Sequence, residues 1–370
     1  MKIAIVSPYD FSYPGGVNNH IIHLERHFLR MGHQVRILAP RSRKGLTVPN
    51  LIPLGRAFPV PSGGSVARIT FSLWLGPRVK EILEREAFDI AHVHEPLTPF
   101  LPPLVLMRAR CPKIGTFHAC HREPRGYGLT KPLISAWFQR LDGLTAVSIP
   151  ARDFIARHFP GDYQIVPNGV DLALFRRETP PLEAVKEGKT LLFVGRLEKR
   201  KGLGYLLGAL AMIRKERKDV RLIVVGPGTR LREAYEEMAQ EIGGVQFAGL
   251  VPSEDLPRYY ASAHIFCAPA TGEESFGIVL LEAMAMAKPI VASAIPGFAQ
   301  LVTHGEEGVL VPPKDEKALA RAILELLEDP ARAQAMGERG WEKAQGYSWE
   351  SIAEKTLAVY RRHLVAAPRL

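Results

Sequence analysis

The sequence predicts an α/β protein with two doubly wound domains, each a mostly parallel sheet covered by helices on both faces. Three observations carry that expectation. The 370 residues exceed the usual size of a single hydrophobic core. Short apolar runs of strand length alternate with helical stretches, and the series occurs twice. Between the two series lies a loose connection from Pro160 to Gly188, marked by the turn pair Asn168-Gly169 and by Pro180-Pro181.

In the first series, Lys2–Pro8 is expected as a strand, and Gly15 and Gly16 lead into a helix over Val17–Met31. Gly32-His33 closes that helix before a strand at Gln34–Ala39. Further short buried strands are expected at Phe88–His94, Lys113–Thr116 and Gly143–Val147, the last followed by a helix over Ile149–His158. The Pro- and Gly-rich region Arg41–Gly76 carries no clear period. The second series predicts strands at Thr190–Val194, Val220–Val225, Val245–Phe247, His264–Cys267 and Pro289–Ala292. Helices are expected at Leu203–Arg214, Leu231–Gln240, Leu256–Ser262, Ile278–Met286, Glu316–Leu327 and Pro330–Ala344. Ser348-Trp349-Glu350 opens a last amphipathic helix.

Composition narrows the class. The cysteines Cys111, Cys120 and Cys267 have neither metal-ligand spacing nor the makings of a disulfide framework, which suits a reducing cytoplasm. Met1 to Val6 lacks a basic leader and reads as a strand, and no apolar run reaches bilayer-spanning length. The formal charge of +10 would steer nucleic acid, an anionic membrane or an anionic substrate. The basic residues are scattered, without a finger or an aromatic ribonucleoprotein motif, so nucleic acid is not expected as a partner.

The densest chemistry lies in Gly272-Glu273-Glu274-Ser275-Phe276-Gly277-Ile278-Val279-Leu280-Leu281-Glu282. Glu274 falls on a glycine-bearing loop and Glu282 on an apolar helix eight residues later. Between them, Ser275, Phe276 and Gly277 can leave backbone N–H groups uncommitted, which is how chains cradle phosphate-linked ligands. Glu282 is then suited to ribose hydroxyls and Glu274 to a sugar ring. Arg196 and Lys201 follow the strand ending at Val194. Two fixed cations there suit a diphosphate leaving group, on which negative charge grows as the sugar bond breaks. Gly226-Pro227-Gly228 follows the next strand and would let a loop approach the nucleotide. The chain has no Asp-x-Asp, so protein cations rather than a divalent metal are expected to neutralise the diphosphate, and no cofactor is expected.

In the first series, Gly15 and Gly16 follow the first strand and permit close ligand approach or a tight turn. The chain lacks Gly-x-Gly-x-x-Gly, which weakens a dinucleotide-dehydrogenase reading. His118 follows a buried strand and is placed to orient a sugar hydroxyl or phosphate, or to accept a proton. His20, His23 and His27 share one helical face and are expected on a polar surface, with His20 nearest the glycine turn. His92 and His94 flank a strand end, with Glu95 beside them looking into the crevice. Cys120, His118 and His121 make a poor zinc site.

These motifs resemble the retaining glycosyltransferases of family 4. The marks are Glu274-x7-Glu282, Gly195-Arg196 with Lys201-Gly202, Pro167-Asn168-Gly169-Val170-Asp171 and Pro14-Gly15-Gly16-Val17. Ala268-Pro269-Ala270-Thr271-Gly272 and His94-Glu95-Pro96 are most similar to the branch that mannosylates inositol lipids. The resemblance spans the chain and implies the GT-B fold, two Rossmann-like domains facing a central cleft. Residues 1–170 would bind the acceptor, with the helix from 348 packing back on them, and 171–347 would bind the donor.

The implied reaction moves mannose from GDP-mannose to a phosphatidylinositol-like lipid at the cytoplasmic membrane face. By the same resemblance, Arg196 and Lys201 hold the diphosphate, Glu274 the sugar and Glu282 the ribose. Gly16, Gly226, Ser275, Phe276, Gly277 and Ile278 complete the donor site. His118 orients the sugar 6-hydroxyl, and Tyr9, Asn19 and Arg68 serve the acceptor. Within the same family, UDP-glucose with another lipid or a soluble acceptor is the alternative, and outside enzymes a non-catalytic sugar-nucleotide binder. The mixed-sign run Arg78–Glu86 departs from the basic amphipathic helix of the lipid-directed branch, although Phe71-Ser72-Leu73-Trp74-Leu75 before it suits a bilayer interface. The acceptor-side loop Cys120–Arg125 departs as well.

Overall fold

A computed structural model describes residues 1–13, 15–43, 48–62, 65–72, 74–120, 127–183 and 188–366, with backbone alone at 61, 62, 65, 66, 127–130 and 366. The chain forms two compact units. One comprises Met1–Asn168 and the segment from Trp349; the other is Gly169–Ser348.

The strands of the first unit are β1 (Lys2–Val6), β2 (Gln34–Ala39), β3 (Leu51–Pro53), β4 (Ala57–Ser62), β5 (Ser65–Thr70), β6 (Ile90–His94), β7 (Lys113–Phe117), β8 (Gly143–Ala146) and β9 (Tyr163–Ile165). Seven form a parallel sheet in the order β3-β2-β1-β6-β7-β8-β9. In β1, Ile3 and Ile5 enter one core while Ala4 and Val6 enter the other, the period of two that a strand covered on both faces requires. The first core is closed by the helix Gly16–Arg30, through Ile21, Leu24 and Phe28, and by the C-terminal helix Trp349–Ala366, through Trp349, Ile352 and Tyr360. Helices Leu75–Glu86 and Leu101–Arg108 cover the other face.

The second unit contains β10 (Lys189–Val194), β11 (Val220–Val225), β12 (Val245–Gly249), β13 (Ile265–Ala268), β14 (Ile290–Ser293) and β15 (Gly308–Val311). They form one parallel sheet in the order β12-β11-β10-β13-β14-β15. Leu191 and Phe193 pack with the helices Leu203–Glu216 and Glu316–Glu328, whereas Leu192 packs with the helix Ile278–Ala285. In both sheets the strand order reverses beside the first strand, between β1 and β6 and between β10 and β13. The loops at the carboxyl ends of those pairs diverge and leave room for a ligand.

The region Arg41–Gly76, unassigned from sequence, holds β3, the antiparallel hairpin of β4 and β5, and the start of the helix Leu75–Glu86. Pro59 and Pro61 hide the hairpin's alternation; an isolated pair has edges where proline is tolerated. β9, β15 and the helices Leu101–Arg108 and Tyr127–Phe138 were also not anticipated. One expectation is corrected outright. His20, His23 and His27 do not form a solvated face: His20 is buried, and His23 stacks on Trp349 with ring centroids 4.7 Å apart. The C-terminal helix, remote in sequence, covers that side of the helix Gly16–Arg30.

Candidate active site

In the second unit, the loop after β10 makes the densest charge network. Val194 ends the strand, Gly195–Glu198 turn outward, and Lys199–Lys201 form one 3-10 turn. Gly202 then stops the turn at φ 77°, the left-handed region glycine favours, and a Cβ there would lie 1.9 Å from the Pro269 carbonyl oxygen. The loop after β13 therefore runs directly against it. Thr271 N–H donates to the Arg200 carbonyl at 2.8 Å, which fixes both loops in register.

This contact brings Glu274 onto the cations. Its Oε1 lies 2.5 Å from Arg200 Nη1 and 2.7 Å from Lys201 Nζ. Glu198 accepts from Arg200 Nε at 2.9 Å and forms an ion pair with Arg196, whose Nε lies 3.2 Å from its Oε1. Arg196 is the outermost member, with 48% of its side chain exposed, against 19% for Arg200 and Lys201 and 12% for Glu274. Three cations thus share two carboxylates, leaving a local surplus of positive charge. Arg200, the only member of the network bonded to both carboxylates, was not singled out from the sequence; its place in the run Lys199-Arg200-Lys201 made it look like a solvated charge.

The backbone beyond Glu274 is shaped for an anion. Glu273 sits at φ 58° and Gly277 at φ 98°, and Gly277 caps the helix Ile278–Ala285. Among the described residues, the N–H groups of Phe276, Gly277, Ile278 and Val279 donate to no protein acceptor. Ser275 is anchored from behind, its carbonyl accepting from Gln300 Nε2 at 2.9 Å, and Phe276 is buried in the core. Gly226 sits at φ 143°, and a Cβ there would lie 2.0 Å from the Gly195 carbonyl oxygen, so glycine at this position lets the Arg196 loop seat against it.

Glu282 faces the helix Leu256–Ser262, where the buried Tyr260 hydroxyl donates to its Oε2 at 2.7 Å. Burial raises its pKa to about 7, partly opposed by the Tyr260 hydrogen bond. Tyr260 is a partner that sequence inspection missed.

In the first unit, Gly15 and Gly16 open the helix Gly16–Arg30, and a Cβ on either would meet nothing within 4 Å. Gly15 has φ −170°, which any residue adopts. Neither packing nor backbone geometry demands glycine at this turn. Asn18 staples the turn by accepting from Ser7 Oγ at 3.0 Å and donating to the Asp10 and Tyr13 carbonyls; Asn19 is exposed. Tyr9 bridges to Ile69, and Asp10 N–H donates to the Arg68 carbonyl at 2.9 Å, so the hairpin brings the Tyr9 and Arg68 segments together. The Arg68 guanidinium lies over the Tyr13 ring, 3.9 Å from its centroid.

Behind these loops lies a histidine cluster in which His20, His92 and His94 are buried and His118 is half-buried. His94 Nδ1 and His118 Nε2 are 2.8 Å apart. His20 lies 5.3 Å from His94 and 5.1 Å from His118 between ring centroids, and its Nδ1 meets Asn168 Oδ1 at 2.8 Å. His92 is held between Tyr360 Oη at 2.6 Å and Thr116 Oγ1 at 2.5 Å. Burial, reinforced by neighbouring rings, lowers the pKa of His20 to about 4, of His92 to about 3, and of His94 and His118 well below the usual range. All four are neutral at pH 7. Glu95, at φ 45°, turns its carboxylate onto the backbone N–H groups of His118 and Ala119 at 2.7 and 2.8 Å, so it positions the His118 loop. Residues His121–Arg125 of the loop beyond lie outside the described residues. Among the described residues, no three His, Cys, Asp or Glu side chains converge as a metal site.

Both groups of residues sit at the carboxyl ends of strands where sheet order reverses, and known proteins match on both. Residues 188–329 match the family model "Glycosyl transferases group 1", and 14–174 match "Glycosyltransferase Family 4". The chain is 35% identical to the phosphatidyl-myo-inositol mannosyltransferase of Mycolicibacterium smegmatis, over 97% of this chain and 93% of that protein. It is 34% identical to the enzyme of that name from Propionibacterium freudenreichii, over 97% and 94%. Among solved structures, sucrose-phosphate synthase from Thermosynechococcus elongatus superposes with a TM-score of 0.76 at 25% identity, covering 99% of this chain and 100% of that one. The Anabaena protein Alr3699/HepE in complex with UDP and glucose superposes at 0.78 and 21% identity, over 98% and 100%. The chain belongs to glycosyltransferase family 4 and has the GT-B fold.

Proposed function

We propose that this glycosyltransferase moves mannose from GDP-mannose to a phosphatidylinositol-like lipid at the cytoplasmic face of the membrane, with retention of configuration. The observation that carries the reading is the joint hold of Arg200 and Lys201 on Glu274. It joins cations suited to a leaving diphosphate to a carboxylate suited to the sugar. The name borne by relatives that match over 97% of this chain, phosphatidyl-myo-inositol mannosyltransferase, supports mannose as the sugar and an inositol lipid as the acceptor.

In this reading the C1–O bond to the diphosphate breaks and the acceptor oxygen bonds to C1 from the same face. The acceptor proton passes to the departing phosphate oxygen. Lys201 and Arg196 stabilise the charge gathering there, together with the N–H groups at the head of the helix Ile278–Ala285. No divalent metal is required, because protein cations supply the neutralisation. Glu282 receives the ribose hydroxyls, and Gly16 allows the donor to approach the first unit's backbone. His118 orients the sugar, and Tyr9, Asn19 and Arg68 meet the phosphorylated head group. The exposed aromatics Phe58, Phe71 and Trp74, the last 89% exposed, provide an apolar edge for peripheral membrane contact. Leu73, between two of them, lies outside the described residues, among which no helix is long and apolar enough to cross a membrane.

One observation favours a second reading within the family, a different donor such as UDP-glucose with another lipid or a soluble acceptor. In the helix Leu75–Glu86, Arg78 and Arg85 pair with Glu81, and Lys80 with Glu84, so these charges are spent within the helix rather than offered to anionic lipid.

A panel of nucleotide-sugars, offered with phosphatidylinositol vesicles, diacylglycerol vesicles and soluble sugars, tests the choice. A mannosylated inositol lipid from GDP-mannose is the expected product by mass spectrometry. Transfer only to water-soluble acceptors, or only from another donor, overturns it. Loss of transfer in Glu274→Ala with nucleotide binding retained counts against a purely binding role.

A further inference from the structure

The His94–His118 contact fixes more than position. Both rings are neutral, since burial and the nearby His20 and His92 rings keep them from charging. Only one of the two facing nitrogens therefore carries a proton, and two arrangements are possible. In the first, His94 donates from Nδ1 and its Nε2 is a bare lone pair; His118 accepts on Nε2 and carries its own proton on Nδ1. In the second, His118 donates from Nε2, and His94 carries its proton on Nε2.

The two differ in what they leave inside the protein. His94 is fully buried, and its Nε2 has no hydrogen-bond partner among the described residues. The surrounding polar groups are committed: His92 to Thr116 and Tyr360, His20 Nδ1 to Asn168, and Glu95 Oε1 to the His118 and Ala119 amides. The second arrangement would orphan an N–H donor there, and the first only a lone pair. Orphaned buried N–H groups are the rarer of the two in native proteins. The first arrangement prevails.

We propose that His94 is a positioning residue that locks His118 as its Nδ1–H tautomer, so that His118 meets the transferred sugar as a hydrogen-bond donor to oxygen and not as a proton acceptor. The inference rests on the reading above only in placing His118 against the sugar. It removes general-base catalysis from His118, in keeping with a reaction whose acceptor proton leaves on the diphosphate.

The test uses the full chain with 15N-labelled histidine and long-range 1H–15N correlation spectra at neutral pH. The His118 signals are identified by their loss in His118→Asn. The expected pattern is a protonated Nδ1 and a bare Nε2 on His118; the reverse overturns the proposal. Two variants add a kinetic readout. His94→Asn keeps an amide N–H where Nδ1 stood and should hold transfer within about threefold of wild type. His94→Leu should release the tautomer and lower kcat roughly tenfold, with the donor KM little changed. A His94→Leu protein that keeps both the tautomer and the rate contradicts the proposal. If the wild type shows the expected tautomer but transfers no sugar to any acceptor, the lock stands and the functional reading falls.

Discussion

Lys201 Nζ and Arg200 Nη1 meet the same oxygen of Glu274, at 2.7 and 2.5 Å. Arg200 is held twice more, its Nε on Glu198 and its carbonyl on Thr271, whereas Glu274 is the one ion-pair partner of Lys201 among the described residues. In the proposed reaction this divides the two cations: Lys201 would turn to the leaving diphosphate while Arg200 kept Glu274 in place.

Arg200→Met should lower kcat roughly a hundredfold, since it leaves two largely buried carboxylates without their shared partner. Arg200→Lys, which keeps the charge but loses the two-pronged grip, should recover only part of that loss. Steady-state kinetics with varied donor check both. Wild-type kcat in Arg200→Met would show that Glu274 needs no such anchor.

Gly202→Ala should cost about 2–4 kcal/mol of stability, because an added methyl would collide with the Pro269 carbonyl at a backbone angle that favours glycine. Denaturant unfolding reads this directly. Gly16→Ala should leave stability unchanged, since its Cβ would meet nothing; a large loss of donor affinity in that variant would show that the ligand needs the space.

Glu282 predicts a pH dependence with a definite sign. Its pKa is raised from 4.5 to about 7 by burial, so folding favours the protonated acid. That contribution to stability is fully present below pH 4.5 and is lost as pH rises through about 7. Glu282→Gln should flatten this part of the stability profile. Affinity for GDP should run the other way, rising from about pH 6 to 8 as the carboxylate becomes a stronger acceptor for ribose hydroxyls. Titration calorimetry across that range checks it, and in Tyr260→Phe the rise should move to higher pH.

Tyr360→Phe should cost about 1–3 kcal/mol, because it strips the buried His92 Nδ1 of its partner. Thermal unfolding of this variant also reports how firmly the C-terminal helix is tied to the first unit.

The parts of this protein legible in sequence are those whose cause is local. Strands such as Leu191–Val194 announce themselves because both faces are buried, and the Glu274-x7-Glu282 spacing carries its loop-then-helix geometry within one short segment. The histidine cluster did not: His92 and Tyr360 are 268 positions apart, and His20 finds Asn168 across 148. No local period records such a meeting, although His92 and His94, two apart in a strand, could have been placed on one face. Arg200 was hidden for another reason, since a cation among cations looks solvated until a carboxylate 74 positions later is seen to reach it. The β4–β5 hairpin escaped because its prolines imitate a loop.

The decisive measurement is a structure of the full chain with bound GDP. Lys201 Nζ and the Arg196 guanidinium should lie within hydrogen-bonding distance of the β-phosphate there, with Glu274 still held by Arg200. Lys201 remaining on Glu274, with Arg196 in open solvent while GDP is bound, would contradict it.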